Sequence, residues 1–187
     1  MDMPQPPPRT MTPWPQATSW PWSEDPVEVI CCAMGLSPQA QQALEAAGAC
    51  YADDTLCREH LDRAAQLAPE HPAVLIGIYR WHFYHGRLAE ALAVGRSALD
   101  WAARHAGLAG QWQAVQPQDA PFHDRSAALA RFYLFCLKGC GYLLLRLGRL
   151  AEGRAMLDKL CELDAADHMG GRALLNVLER QGETDDD

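Results

Sequence analysis

The chain has 187 residues, a formal net charge of −8 and seven cysteines. That length suits one domain with a sizeable core, and the acidic balance argues against general nucleic-acid binding, which depends on neutralising phosphates. An odd number of scattered cysteines points to reduced thiols in a cytoplasm rather than a disulfide framework, and no uncharged apolar run of about 18 residues exists, so no membrane span is predicted.

Residues 1–22 carry Pro4, Pro6, Pro7, Pro8, Pro13, Pro15 and Pro21 among Trp14, Trp20 and Trp22. Such density forbids helix and favours extended polyproline conformations. The segment has neither the basic start nor the apolar run of a signal peptide. It reads as a disordered arm, whose tryptophans either tuck onto the domain or anchor a partner. A helical domain is expected over 23–181. Ser23 or Asp25 can cap a first helix, with Pro26 in its opening turn, running to Met34. Ser37-Pro38 repeats that signal for a helix to about Gly48, and Asp53 or Asp54 opens another to about Leu67. Pro72 opens an apolar run that Gly86 ends, since glycine tolerates the left-handed conformation of helix ends. An amphipathic run follows over Leu88–Arg104. Ala91, Gly95 and Ala98 form a stripe of small residues on it, which lets two helices approach closely.

Residues 106–123 hold Gly107, Gly110, Pro117 and Pro121 and read as a long insertion anchored by Trp112 and Phe122. Asp124 is expected to open a long helix to Leu147, paired with a helix over Arg149–Leu163. Asp167 is expected to cap a last helix to about Arg180, the solvent-facing cap of a stack. Residues 182–187 form an acidic tail.

One word recurs. Gly86-Arg87-Leu88-Ala89-Glu90 reappears as Gly148-Arg149-Leu150-Ala151-Glu152, each time after an apolar run of helical length. Internal repeats decide architecture. Taken as units of about 34 residues, the pattern resembles the tetratricopeptide repeat over residues 38–105 and 134–181. Ala64, Pro69, Ala91, Ala98, Gly141 and Gly153 match its small-residue and closing positions; Tyr79, Cys57, Leu160 and Ala165 depart from it. The resemblance implies an all-α solenoid of about three helix pairs plus a C-terminal capping helix.

In such repeats the first helix of each pair lines the concave face. Carried over residue by residue, that face would hold Gln39 and Gln42, then Arg80, Phe83 and Tyr84, then Phe135, Lys138, Tyr142, Leu145 and Arg146. Arg80, Phe83, Tyr84, Lys138, Tyr142 and Arg146, assisted by Trp112, are the expected partner contacts. Arginine grips carboxylates in bidentate fashion, and aromatics supply buried area. The chaperone-binding form of the repeat has asparagine where Arg80 and Tyr142 stand, so the resemblance does not extend to chaperone tails. No phosphate loop, nucleophile elbow or metalloprotease motif occurs, so no enzyme is expected and no cofactor is assigned. Cys136 and Cys140, one helical turn apart, with a third ligand form the alternative metal- or redox-active reading; His82 and His85 also lie within a turn of each other. Cysteine among Phe, Leu and Tyr more often simply packs.

The wording of Leu67–Gly77, Arg131–Gly139, Gly148–Arg154, Leu163-Asp164 and Asp185–Asp187 is more particular. Over residues 25–187 the chain resembles small repeat proteins encoded beside nitrogen-fixation genes, of the nitrogenase-associated factor T type. That resemblance implies a non-catalytic accessory protein that binds the molybdenum–iron dinitrogenase during maturation, damage or repair. A general assembly chaperone for another complex is the further alternative.

Overall fold

The computed structural model describes residues 30, 34–50 and 52–184, and beyond residue 180 the backbone alone. The proline and tryptophan arm, most of the first expected helix and the end of the acidic tail lie outside the described residues. Among the described residues there are seven α-helices, one short 3-10 turn and no strand.

Helix α1, Pro38–Ala49, opens where Ser37 accepts from the Ala40 amide (3.3 Å), with proline in the first turn. Helix α2, Asp54–Leu67, is capped by Asp53, which accepts from the Leu56 amide (3.0 Å). Such caps satisfy an otherwise orphaned donor, each worth about 1 kcal/mol. Helix α3, Pro72–Tyr84, is capped by the His71 ring, whose Nδ1 accepts from the Ala73 amide (3.2 Å). Gly86 turns the chain at φ 70° into α4, Leu88–Ala106, which ends at Gly107 with φ 68°.

The insertion is folded down by its own apolar residues. Trp112–Ala114 forms the 3-10 turn, Val115 and Phe122 are buried, and the Phe122 ring lies 6.0 Å from that of Tyr133. Lys159 donates to the Val115 carbonyl (3.2 Å). Helix α5 spans Ala128–Arg146, starting four residues later than the sequence reading placed it. Asp124 is occupied locally: its Oδ1 accepts from the Ser126 amide (2.8 Å) and hydroxyl (2.7 Å), which also holds its carboxyl below the usual range. Short polar side chains compete with helix in this way.

Gly148 leads into α6, Leu150–Leu163. Helix α7 spans Gly171–Thr184, again later than the expected start at Asp167. Asp167 sits at φ 55° and accepts from the Arg172 amide (3.2 Å), while buried Asp164 accepts from the Met169 amide (2.7 Å). These two carboxylates shape the loop and delay the helix. Leu174 and Leu175 then pack α7 against the core.

All extensive helix contacts join helices that are consecutive in the chain. The main core runs from α3 to α7, with Phe132, Leu137, Leu143, Leu144, Leu157 and Leu160 fully buried. Two smaller clusters, around Trp81 and Cys57 and around Val74 and Ala64, attach α1 and α2 to α3. Helix α5 is long and apolar enough to cross a bilayer by length and composition, yet 61% of its apolar window is buried in the fold.

Candidate aromatic and cationic face

On α3, Arg80, Phe83 and Tyr84 lie three and four residues apart and therefore share a face. On α5 the same spacing joins Phe135, Lys138, Tyr142, Leu145 and Arg146. The two stripes meet. Phe83 and Tyr142 have ring centroids 6.2 Å apart, and Phe83 and Tyr84 meet edge to face at 5.4 Å. Arg146 lies over the Tyr142 ring at 5.8 Å and donates to its hydroxyl (2.9 Å). Tyr84 is 47% exposed and Arg146 is exposed, while Phe83 and Tyr142 are half-buried. Tyr84, Phe83, Tyr142 and Arg146 thus form one continuous row. Beyond its end, Leu147 (36% exposed) and Leu150 (50% exposed) flank the Gly148 turn.

Beneath the row lies Tyr79, which the sequence reading recorded only as a departure from the repeat. Its ring stacks on Phe83 at 6.1 Å. It fills space left by two glycines: a Cβ at Gly95 would stand 3.4 Å from this ring, and one at Gly139 would stand 3.2 Å from its hydroxyl. Burial pushes the Tyr79 phenol well above its ordinary range. A bulky residue at a small-residue position was the available signal.

The remaining expected contacts are placed differently. Lys138 is half-buried, and its Nζ donates to the Met169 carbonyl of the loop before α7. Burial lowers its pKa, with Asp167 opposing. It ties that loop to α5. Arg80 is half-buried on the α3 stripe. Trp112 packs half-buried on the core within the insertion, and among the described residues no ring contact joins it to the row. Gln39 and Gln42 are exposed on α1, and Phe135 stacks on Phe132 at 6.4 Å.

Cys136 and Cys140 are buried in the core, where loss of solvent pushes both thiols up, Cys140 to about 12. Thiols held protonated in this way are poor nucleophiles and poor ligands. His82 and His85 diverge. His82 is buried edge-on to Trp81, whereas His85 donates from Nδ1 to the Trp81 carbonyl (2.6 Å) and sets Nε2 2.6 Å from the Asp54 carboxylate. Among the described residues, no group of three or more His, Cys, Asp or Glu is placed to hold a metal ion.

The fold and this face define an all-helical protein whose clearest surface feature is an aromatic row ending in a cation. The chain is 40% identical over 129 residues to an uncharacterized 19.8 kDa protein in the nifW 5′ region of Azotobacter chroococcum mcd 1, an overlap of 68% of this chain and 72% of that protein. It belongs to the family of that protein. No family model and no solved structure matches it.

Proposed function

We propose that the protein is a non-catalytic, cytoplasmic interaction scaffold of nitrogen fixation. In this reading its helix pairs stack in the manner of tetratricopeptide repeats, and its α3–α5 face binds the molybdenum–iron dinitrogenase during maturation, damage or repair. The observation that carries the reading is the position of Arg146. Among the described residues this guanidinium faces only Tyr142, whereas Arg58, Arg96, Arg104, Arg149 and Arg154 each have a carboxylate within 4 Å. A cation with no carboxylate beside it among the described residues, set at the end of an aromatic row on an acidic chain, suits a partner segment that brings carboxylates and apolar side chains. The relative from the nif region supplies the biological setting.

The test is capture of partners from nitrogen-fixing cells with the full-length chain as bait. Dinitrogenase is expected to be enriched over a control bait. The double substitution Arg80→Glu with Arg146→Glu is expected to abolish that enrichment, and Arg146→Glu alone, at an exposed site, to weaken it while moving Tm by no more than about 2 °C, the usual range for surface changes. Failure to enrich dinitrogenase removes the partner assignment; equal loss of fold and binding shows that these arginines are structural.

A further inference from the structure

We infer that Arg87, held on the buried ring of Trp81, is a second anchor for a carboxylate of the protein partner. It stands on the side of α3 that packs against α2, where Trp81 meets Cys57 and Leu61. The inference rests on the reading that the partner brings an acidic segment, and it adds a contact outside the aromatic row.

The repeated word supplies the first observation. Both copies place an arginine just after the elbow glycine and a glutamate three residues further on. In the second copy Arg149 pairs with Glu152, which Arg96 also reaches at 2.7 Å. In the first copy that pair is not made. Among the described residues no carboxylate lies within 4 Å of the Arg87 guanidinium, which instead stands 4.4 Å from the centroid of the Trp81 ring. The buried face of an indole attracts a cation strongly enough to divert it from an exposed ion pair, which is worth little.

The second observation is what this stacking leaves open. A guanidinium is planar, with its N–H donors in the plane. Stacking occupies one face and leaves the edge to bind. Arg87 is exposed, whereas Trp81 beneath it is 2% exposed. A fork fixed on a ring has less freedom to lose on gripping a carboxylate. Arg146 on the Tyr142 ring repeats the arrangement at the other hairpin. The protein thus presents two arginines backed by aromatics, and neither has a carboxylate beside it among the described residues.

The third is the local charge. Arg58 lies 5.3 Å from the Trp81 centroid, but Asp62 neutralises it at 2.8 Å. His85 faces Asp54 at 2.6 Å. Burial, with Arg58 and Arg87 adding to it, holds the His82 ring below its ordinary pKa and therefore neutral at pH 7. Arg87 is left as the uncompensated charge of this cluster. One positive charge matches the single negative charge of a carboxylate, whereas a phosphate group brings about −1.5 to −2. The Trp81 Nε1–H is buried without a hydrogen-bond acceptor. The cluster is therefore short of acceptors as well as of negative charge.

The test is heteronuclear NMR of the full-length chain, following arginine Nε–H and tryptophan Nε1–H signals as hexaglutamate is added at a constant ionic strength of about 0.15 M. The Arg87 and Trp81 signals are expected to move along saturable curves, while the Arg149 signal stays in place. Arg87→Lys keeps the charge and removes the planar fork, and is expected to cut the Trp81 movement several-fold. Arg149→Lys is expected to leave it unchanged. Equal movement of Arg87 and Arg149, or no saturable movement, overturns the inference. Inorganic phosphate moving Arg87 as far as hexaglutamate does, at equal concentration, overturns the assignment to a carboxylate. The wild-type titration decides the question even if Arg87→Lys does not fold. It contains no dinitrogenase, so loss of this anchor and loss of the partner assigned above are read separately.

Discussion

The hairpins α3/α4 and α5/α6 begin from the same five residues and end in different packing. Their elbows are nearly superimposable: Gly86 and Gly148 have φ of 70° and 75°, and Arg87 and Arg149 have φ, ψ of −83°, 67° and −85°, 61°. Each elbow is closed by an arginine amide donating to a carbonyl five residues back, Arg87 to His82 and Arg149 to Leu144, both at 2.9 Å. The crossings differ. In α5/α6, glycine meets glycine: a Cβ on Gly153 would lie 2.7 Å from Leu145 Cδ2 and 3.0 Å from the Gly141 carbonyl oxygen. The matching positions of α3/α4 are Tyr79 and Ala91, and the Tyr79 ring leaves for the gap beside Gly95 and Gly139. A turn is therefore set locally, by one glycine and its neighbours. The depth of a crossing depends on which other helices have room for the displaced side chain.

The most damaging way to probe this difference is at Gly153. Gly153→Val places two methyl groups where a single carbon already meets backbone, and is expected to cost roughly 3 kcal/mol, the upper end of overpacking. For a domain of this size that lowers Tm by about 6–12 °C. A loss under about 1 kcal/mol in chemical denaturation shows that the α5/α6 crossing is not held by glycine contact. Ala91→Leu, at the matching position of the other hairpin, is expected to cost roughly 1–3 kcal/mol. Ala91 is fully buried, but it has no glycine opposite it. If the two substitutions cost the same, the distinction between the hairpins disappears.

A smaller effect tests the shared part. Gly86→Ala and Gly148→Ala each force a Cβ into the left-handed region, where no other atom lies within 4 Å. Only the backbone conformation is then at stake, about 1 kcal/mol in each case. The two are expected to agree within about 0.5 kcal/mol. Unequal costs would mean that the elbows are stabilised by something beyond the repeated word.

These contrasts show which features could be read before the fold was seen. Ser37, Asp53, Pro72, Gly86 and Gly148 act on neighbours within a turn, and each appears where its chemistry predicts. Asp124 and Asp167 carry the same helix-start signal, but turns closed by their own side chains hold the helices back. Phe83, Tyr142 and Arg146 were legible as one face because helical spacing fixes them on their own helices, and the two helices then bring them together. The partner of Lys138 is 31 residues away on a loop, and the place of Tyr79 depends on glycines from α4 and α5. No local pattern encodes either.

The smallest predicted effect separates the hairpins by pH. Helix α3 opens on the ring of His71 and buries His82, whereas Ala128–Leu163, which spans both helices of the other hairpin, contains no histidine. Burial lowers the pKa of both rings from about 6.5, and Arg58 adds to the effect at His82. The unfolded chain therefore binds protons that the folded chain refuses as pH falls below about 6.5, so stability declines with acidification and is level above that point. Protonated His71 also loses the lone pair that accepts from the Ala73 amide, a cap worth roughly 1 kcal/mol. Native-state hydrogen exchange, corrected for intrinsic rates, is expected to show α3 losing protection between pH 7 and pH 5 while α5 and α6 hold theirs. His71→Asn keeps a capping acceptor without a charge change in that range, and should make the α3 profile shallower, leaving the part that His82 contributes. Parallel loss in both hairpins, unchanged by His71→Asn, would show that the acid response belongs to the whole domain.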